Sequence, residues 1–327
     1  MRAFSKTAIC LAVNLCATIA AADDWPAWRG PQGDGVWREQ GIVAELPADS
    51  IAARWRVPVA SGYSGPTVAD GRVYVMDRVT KPAQTEGIHC FAWDTGQALW
   101  SHTYGREYRN VGYGAGPRAS VVIDSGRAYA LGAMGDLHCL DAATGQVRWR
   151  RPLNEEYGID MPIWGIAASP VVVGDLLIVQ VGGAGACLVA FDKVSGQERW
   201  RALDDRASYS TPVLVEHDTR QVLVCWTGDG VVGLDAASGQ ALWTHPLAPQ
   251  RMVLAVASPV VDAQRLFLTG FYDGSLMLRL LPGPAVEEAW RRVGPSEKQT
   301  DGLHSIISTP VLLDDHIYGF DSYGEFR

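Results

Sequence analysis

The residues of this chain best suited by type to hold a metal are two His-Cys pairs, His89-Cys90 and His138-Cys139. Imidazole and thiolate bind zinc at about 2.0 to 2.3 Å, so such ligands must converge on one point. Both pairs fall at the same place in successive repeats of the chain, which reads as a repeated strand position and not as a shared site. The paired acids Asp204-Asp205 and Asp314-Asp315 could divide acid and base roles. They lie in predicted turns between apolar segments and read as solvated turn carboxylates. Signatures of nucleophilic, phosphate-binding or calcium chemistry are missing: there is no GxSxG, HExxH, Walker loop or DxDxDG. The sequence therefore assigns no catalytic residue and no metal ligand. For recognition it offers six side chains, Tyr63, Arg118, Trp164, Tyr209, Arg251 and His304, each placed shortly before a short apolar segment.

Those segments belong to a repeat. Tryptophans close apolar stretches at Trp55, Trp100, Trp149, Trp200, Trp243 and Trp290, at intervals of 45, 49, 51, 43 and 47 residues. Four of them follow a Thr/Ser-Gly-Gln turn whose glycine (Gly96, Gly145, Gly196 or Gly239) stands four residues earlier. The fifth unit has Pro282-Gly283-Pro284 in place of that turn. Units open with Gly65-Pro66, Ser169-Pro170, Thr211-Pro212, Ser258-Pro259 and Thr309-Pro310, while the second has Ala119-Ser120 with Pro117 upstream. Strand-like runs follow, such as Arg72 to Met76, Leu176 to Val181 and Gln221 to Trp226. Hairpin turns come next, at Gly135-Asp136, Gly228-Asp229-Gly230 and Asp273-Gly274.

In the Thr/Ser-Gly-Gln turn, glycine accepts a positive φ and the hydroxyl can bond back to the backbone. Four short strands per unit, joined by tight turns with no helical period, make one antiparallel sheet. A lone sheet cannot bury both faces, so the sheets must stack radially, with the tryptophans as apolar plates between neighbours. The expected fold is all-β, a β-propeller of four-stranded antiparallel blades with about six blades represented. The innermost strand of each blade lines the central channel of a propeller, which places the six recognition residues near one mouth. Aromatic and arginine side chains there suit binding of polar polymers, peptides or loops. The alternative is that they only plug the channel.

The run Leu140-Asp-Ala-Ala-Thr-Gly-Gln-Val-Arg-Trp149 resembles the PQQ-like, or quinoprotein-like, β-propeller repeat proteins. Asp24-Trp25-Pro26-Ala27-Trp28-Arg29-Gly30-Pro31 and the stretch from Gly116-Pro117-Arg118 through Gly132 to Leu137 are similar to exported bacterial members. The resemblance implies kinship of fold with the propeller lipoprotein of the outer-membrane β-barrel assembly machine. It also raises a cofactor. Quinoprotein dehydrogenases hold pyrroloquinoline quinone (PQQ) over a tryptophan, under a disulfide between adjacent cysteines, with calcium bound by Glu, Asn and Asp. No two cysteines of this chain are adjacent, and the calcium ligands find no match residue by residue, so neither PQQ nor calcium is expected.

Residues 1–22 read as a cleavable secretory signal: Arg2 and Lys6, an apolar stretch from Thr7 to Ala20, then small residues before Asp23. Ile9 and Leu15 precede Cys10 and Cys16 where a lipid-modified terminus needs a small residue, so no lipid anchor is expected. Residues 23–50 form an amino-terminal extension in which Trp25 and Trp28 pin the segment to the propeller, and residues 51–327 form the propeller itself. Loss of the signal moves the formal charge from −8 to −10, which disfavours nucleic acid as a partner. Cys90, Cys139, Cys187 and Cys225 read as buried small hydrophobes.

The last unit opens at Ser308-Thr309-Pro310, turns at Tyr323-Gly324 and stops at Arg327, before any closing tryptophan. The expectation is an incomplete seven- or eight-bladed propeller. Completion of the last blade by Ala53 to Val59 around Trp55 is the alternative. The function expected is that of an exported, periplasmic or secreted, non-catalytic scaffold for an envelope protein. The alternatives are a PQQ-dependent alcohol or sugar dehydrogenase and a module binding an extracellular polysaccharide.

Overall fold

The computed structural model describes residues 23–40, 45, 48 and 50–327. The segment expected as a secretory signal, and part of the stretch expected as an extension, lie outside these. Five four-stranded antiparallel sheets and one two-stranded sheet follow one another along the chain, each with its strands in sequence order. Blade 1 comprises β1 (Thr67–Ala69), β2 (Arg72–Val79), β3 (Thr85–Ala92) and β4 (Ala98–Gly105). Blade 2 has β5 (Val122–Asp124), β6 (Arg127–Leu131), β7 (Asp136–Asp141) and β8 (Val147–Pro152). A one-turn helix, α1 (Leu153–Tyr157), then corrects the expectation of tight turns alone. Blade 3 has β9 (Val171–Val173), β10 (Leu176–Gly183), β11 (Ala186–Asp192) and β12 (Glu198–Ala202). Blade 4 has β13 (Val213–His217), β14 (Arg220–Trp226), β15 (Gly230–Asp235) and β16 (Ala241–Pro246). Blade 5 has β17 (Val260–Asp262), β18 (Arg265–Gly270), β19 (Gly274–Leu281) and β20 (Ala285–Arg292). The last sheet is β21 (Val311–Leu313) and β22 (His316–Tyr318).

Alternation along the strands sends successive side chains to opposite neighbours. Tyr129 and Leu131 of β6 pack towards Leu177 and Phe191 of blade 3. Ala128 and Ala130 of the same strand pack towards Tyr74 and Ile88 of blade 1. One apolar core therefore fills each joint, and blades 2 to 5 bury apolar side chains on both faces. The joint between blade 5 and the last sheet is the smallest, built on Phe267, Met277 and Leu303 with Leu312 and Ile317 against them.

Each Thr/Ser-Gly-Gln turn is held as expected. Gln146 N donates to Thr144 Oγ1, while Asp141 Oδ1 accepts from the backbone and hydroxyl of Thr144. Asp192 with Ser195 and Asp235 with Ser238 repeat this. A β-bulge follows the residue facing the tryptophan in every blade: Cys90, Cys139, Ala190, Gly233 and Met277. Four of these are small, which leaves room for the indole. All four described cysteines are free and buried, each in a different blade.

The hydroxyls of the Ser/Thr-Pro openings have a second use that the sequence does not advertise. Ser120 N donates to Ser169 Oγ (2.9 Å), Ser169 N to Thr211 Oγ1 (3.0 Å), and Ser258 N to Thr309 Oγ1 (3.1 Å). These bonds link the starts of consecutive inner strands around the channel.

The amino-terminal segment enters this channel from the end opposite the recognition residues. Trp25 bridges Val68 of blade 1, and Ile123 N of blade 2 donates to Pro26 O (2.8 Å). Trp28 Nε1 donates to Ser258 Oγ of blade 5 (3.1 Å), while a Cβ on Gly65 of blade 1 would lie 3.6 Å from the same indole. Trp28 thus spans the channel from blade 1 to blade 5. Trp55 lies on Gly96 of blade 1, where the tryptophan of a preceding blade would lie. Its segment forms no strand, and no pairing joins it to β22 among the described residues.

Candidate functional site

The loops that lead into the inner strands share one face of the propeller with the turns between second and third strands. Tyr63 is 52 % exposed there, its backbone fixed by a bond from its N–H to Pro117 O (2.8 Å). Arg118 donates to the carbonyls of Gly112 (2.9 Å), Tyr113 (2.7 Å) and Gly116, with its guanidinium 5.3 Å from the Tyr63 ring centroid. Burial lowers its pKa from the usual guanidinium value. Trp164 stands edge-on to Tyr113 (5.8 Å) and packs, tilted by 34°, against the Tyr209 ring at 5.0 Å. One continuous group therefore runs from Tyr63 through Arg118, Tyr113 and Trp164 to Tyr209, over blades 1 to 4.

A second group lies over blade 5 and the last sheet. Arg251 sits 4.8 Å from the Tyr272 ring, Phe271 packs on both Tyr272 and Tyr323, and Lys298 Nζ lies 5.1 Å over Tyr323. His304, 1 % exposed, lies beneath this group with Nδ1 2.8 Å from Phe271 O, so it offers nothing at the mouth. Tyr209 is 5 % exposed and serves as the bed of Trp164. Arg118 is the clamp of the 112–116 loop and has no free donor fork. The exposed partner that residue spacing missed is Tyr113, at 71 % exposure with φ +49°. Its only trace in the sequence is an aromatic residue between Gly112 and Gly114.

Titratable groups concentrate elsewhere, in the joint between blades 1 and 2. Glu86 is fully buried and accepts from the hydroxyls of Tyr104 and Tyr108 and from Ala133 N (3.1 Å). Burial pushes its carboxyl above the usual range, against the lowering effect of those bonds. His138 lies 4.3 Å from the Tyr104 ring and 5.3 Å from that of His102, and burial pushes its pKa down to about 4. His89, at the equivalent position of blade 1, pairs with Asp77 at 2.8 Å. The two His-Cys pairs thus occupy equivalent strand positions, opposite Ser101-Trp100 and Arg150-Trp149. Asp204 and Asp205 are bound separately, by Gly185 N and by the Thr227 hydroxyl, and Asp315 pairs with Arg265 (2.6 Å).

The quinone cofactor of the fold's enzymes does not fit these residues. Its clamp needs neighbouring cysteines, whereas the four described ones lie in four blades. Among the described residues no three His, Cys, Asp or Glu side chains stand together to hold a metal ion. Trp28 moreover crosses the channel to Ser258.

Fold and mouth together define a PQQ-like β-propeller without the quinone clamp. The profile of the family described as outer membrane protein assembly factor BamB matches residues 84–326, and the chain belongs to that family. It is 25 % identical over 344 aligned positions to outer membrane protein assembly factor BamB of Escherichia coli (strain K12), spanning 88 % of this chain and 81 % of that one. The crystal structure of BamB from Moraxella catarrhalis superposes with a TM-score of 0.55 at 19 % identity, over 84 % of this chain and 74 % of that one. Quinohemoprotein alcohol dehydrogenase from Comamonas testosteroni superposes with a TM-score of 0.59 at 16 % identity, over 89 % of this chain but 52 % of the enzyme. At such identities the two structures speak for the fold alone. No helix among the described residues is long and apolar enough to cross a membrane.

Proposed function

We propose that this chain is an exported, non-catalytic propeller that binds a protein partner of the cell envelope through the aromatic and cationic face at the channel mouth. The observation that carries this reading is Tyr113, largely exposed yet held by the Arg118 clamp and the edge of Trp164. A rigid exposed aromatic beside arginine is the make-up of a binding hot spot, because little ordering entropy remains to be lost on association. The relatives are described as outer-membrane assembly factors, which supports a partner engaged in that assembly. The four described cysteines lie apart, one in each of blades 1 to 4, which speaks against a quinone clamp made of adjacent cysteines.

A photo-crosslinking residue at Tyr113, compared with one at Thr144 on the opposite face, tests the site in envelope preparations. The expected result is one envelope protein joined through position 113, its yield cut at least tenfold by Trp164→Ala. Equal labelling from both positions, or binding to glycans with no protein joined, overturns the proposal.

A further inference from the structure

The stretch 106–116 carries Tyr113 and forms neither helix nor strand. It is nonetheless fastened from beneath by side chains of blade 1. Arg78, buried in β2, donates to Gly114 O and to Gln84 Oε1. Its guanidinium lies 3.8 Å from the centroid of the Tyr108 ring. Gln84 Oε1 also accepts from Tyr108 N (3.2 Å), and Gln84 O accepts from Arg106 N (3.1 Å). The Tyr108 hydroxyl then reaches down to Glu86, in the joint between blades 1 and 2. Glu86 Oε1 takes that hydroxyl and Ala133 N of blade 2, while Oε2 takes the hydroxyl of Tyr104 in β4. One hydroxyl on the carboxylate thus belongs to the loop and the other to the blade. Gly116 pins the far end of the loop, where a Cβ would come 2.4 Å from Ser61 O.

We propose that Glu86, Tyr108 and Arg78 are positioning residues of the channel mouth, which hold the 106–116 loop so that Tyr113 stands where a partner meets it. Their use rests on the reading of Tyr113 as the hot spot of a binding face. Tyr108 connects the two levels. Its hydroxyl is fixed by Glu86 below, and its ring bears Arg78, which holds Gly114 directly after Tyr113. Loss of the hydroxyl frees the ring, and Arg78 loses its bed. A buried carboxylate costs stability unless its oxygens are filled, and the joint between blades 4 and 5 is built on apolar side chains instead. What the carboxylate adds is a fixed point for the loop above it.

The test compares Tyr108→Phe with Tyr104→Phe in the full chain. Each removes one hydroxyl from the same carboxylate, so both should lose similar stability in urea, but only Tyr108 belongs to the loop. Hydrogen exchange is followed at the amides of Gly112 and Ala115, which are bonded to Ile163 O (2.6 Å) and Tyr113 O (2.8 Å). Exchange about tenfold faster is expected there in Tyr108→Phe, with no change in Tyr104→Phe. Photo-crosslinking from position 113 should fall about fivefold in the first variant alone. A loop that exchanges alike in the original chain and in Tyr108→Phe overturns the inference, and so does equal loosening by the two variants. Faster exchange in Tyr108→Phe, in a chain that joins no protein through position 113, would remove the binding reading while the positioning of Tyr113 stands.

Discussion

Between blades 3 and 4 the indole of Trp200 lies on Gly239 of the next blade, whereas the indole of Trp243 turns back over Gly233 of its own. The difference begins in the neighbour. Blade 5 carries Pro282-Gly283-Pro284, and a Cβ on Gly283 would meet nothing within 4 Å, so no turn is offered to Trp243. Trp243 instead joins the apolar core of the joint with Leu266, Leu276 and Leu278 and is nearly fully buried. The same residue at the same repeat position thus seals a joint in two ways, and the adjoining turn decides which.

Substitutions can break that contrast or sharpen it. The largest effect is expected at Trp243→Ala, about 4 kcal/mol by urea unfolding, because a nearly buried indole leaves a cavity. A cost equal to that of Trp290→Ala, at a residue 36 % exposed, would refute the difference in packing. Gly145→Ala should cost roughly 3 kcal/mol, since alanine must accept φ +72° and also displace Trp100. Gly283→Ala, with φ +74° but open space, should cost roughly 1 kcal/mol, the strain without the clash. Equal losses at the two glycines would mean that the indole contact contributes nothing.

Acid should separate the joints too, with an effect that falls between those two glycine changes. His138 holds its proton less well in the folded chain than in the unfolded one, its pKa falling from 6.5 to about 4 through burial, with the charges of Arg150 and Arg106 and the His102 ring adding to it. The unfolded chain therefore binds the extra proton, and stability drops as pH falls from about 6.5 to about 4, by on the order of 2 to 3 kcal/mol. Glu86 works in the opposite direction, since its raised pKa favours the folded chain as it takes up a proton. Hydrogen exchange at pH 4.5 should show the joint between blades 1 and 2 opening before the apolar joint between blades 4 and 5. His138→Gln should remove that order, and an unchanged order would exonerate the histidine.

The blade count, the turns and the buried cysteines were legible because each rests on residues within one repeat. Gly145 and Trp149 stand four apart, and the pairing of Trp149 with Cys139 follows from the turn that contains Gly145. The reversal of Trp243 was not legible, since it depends on a turn about 40 residues later in another blade. Of the six mouth residues, Tyr209 and His304 prove buried, because position before an inner strand fixes the end of the channel and not the direction of the side chain. The Glu86 cluster escaped notice for the same reason: its partners Tyr104, Tyr108 and Ala133 lie 18, 22 and 47 residues away.

The bond from Trp28 to Ser258 sets an order of events in folding. Trp28 stands 230 residues ahead of its partner, so its indole waits, unpaired, until four blades and the start of a fifth are arranged around the channel. Blades built from neighbouring strands close small loops and can form early, whereas this bond joins residues farther apart in sequence than any other hydrogen bond among the described residues. The tryptophan therefore acts as a late latch, and its fluorescence should report the final step of folding, after the sheets are already in place.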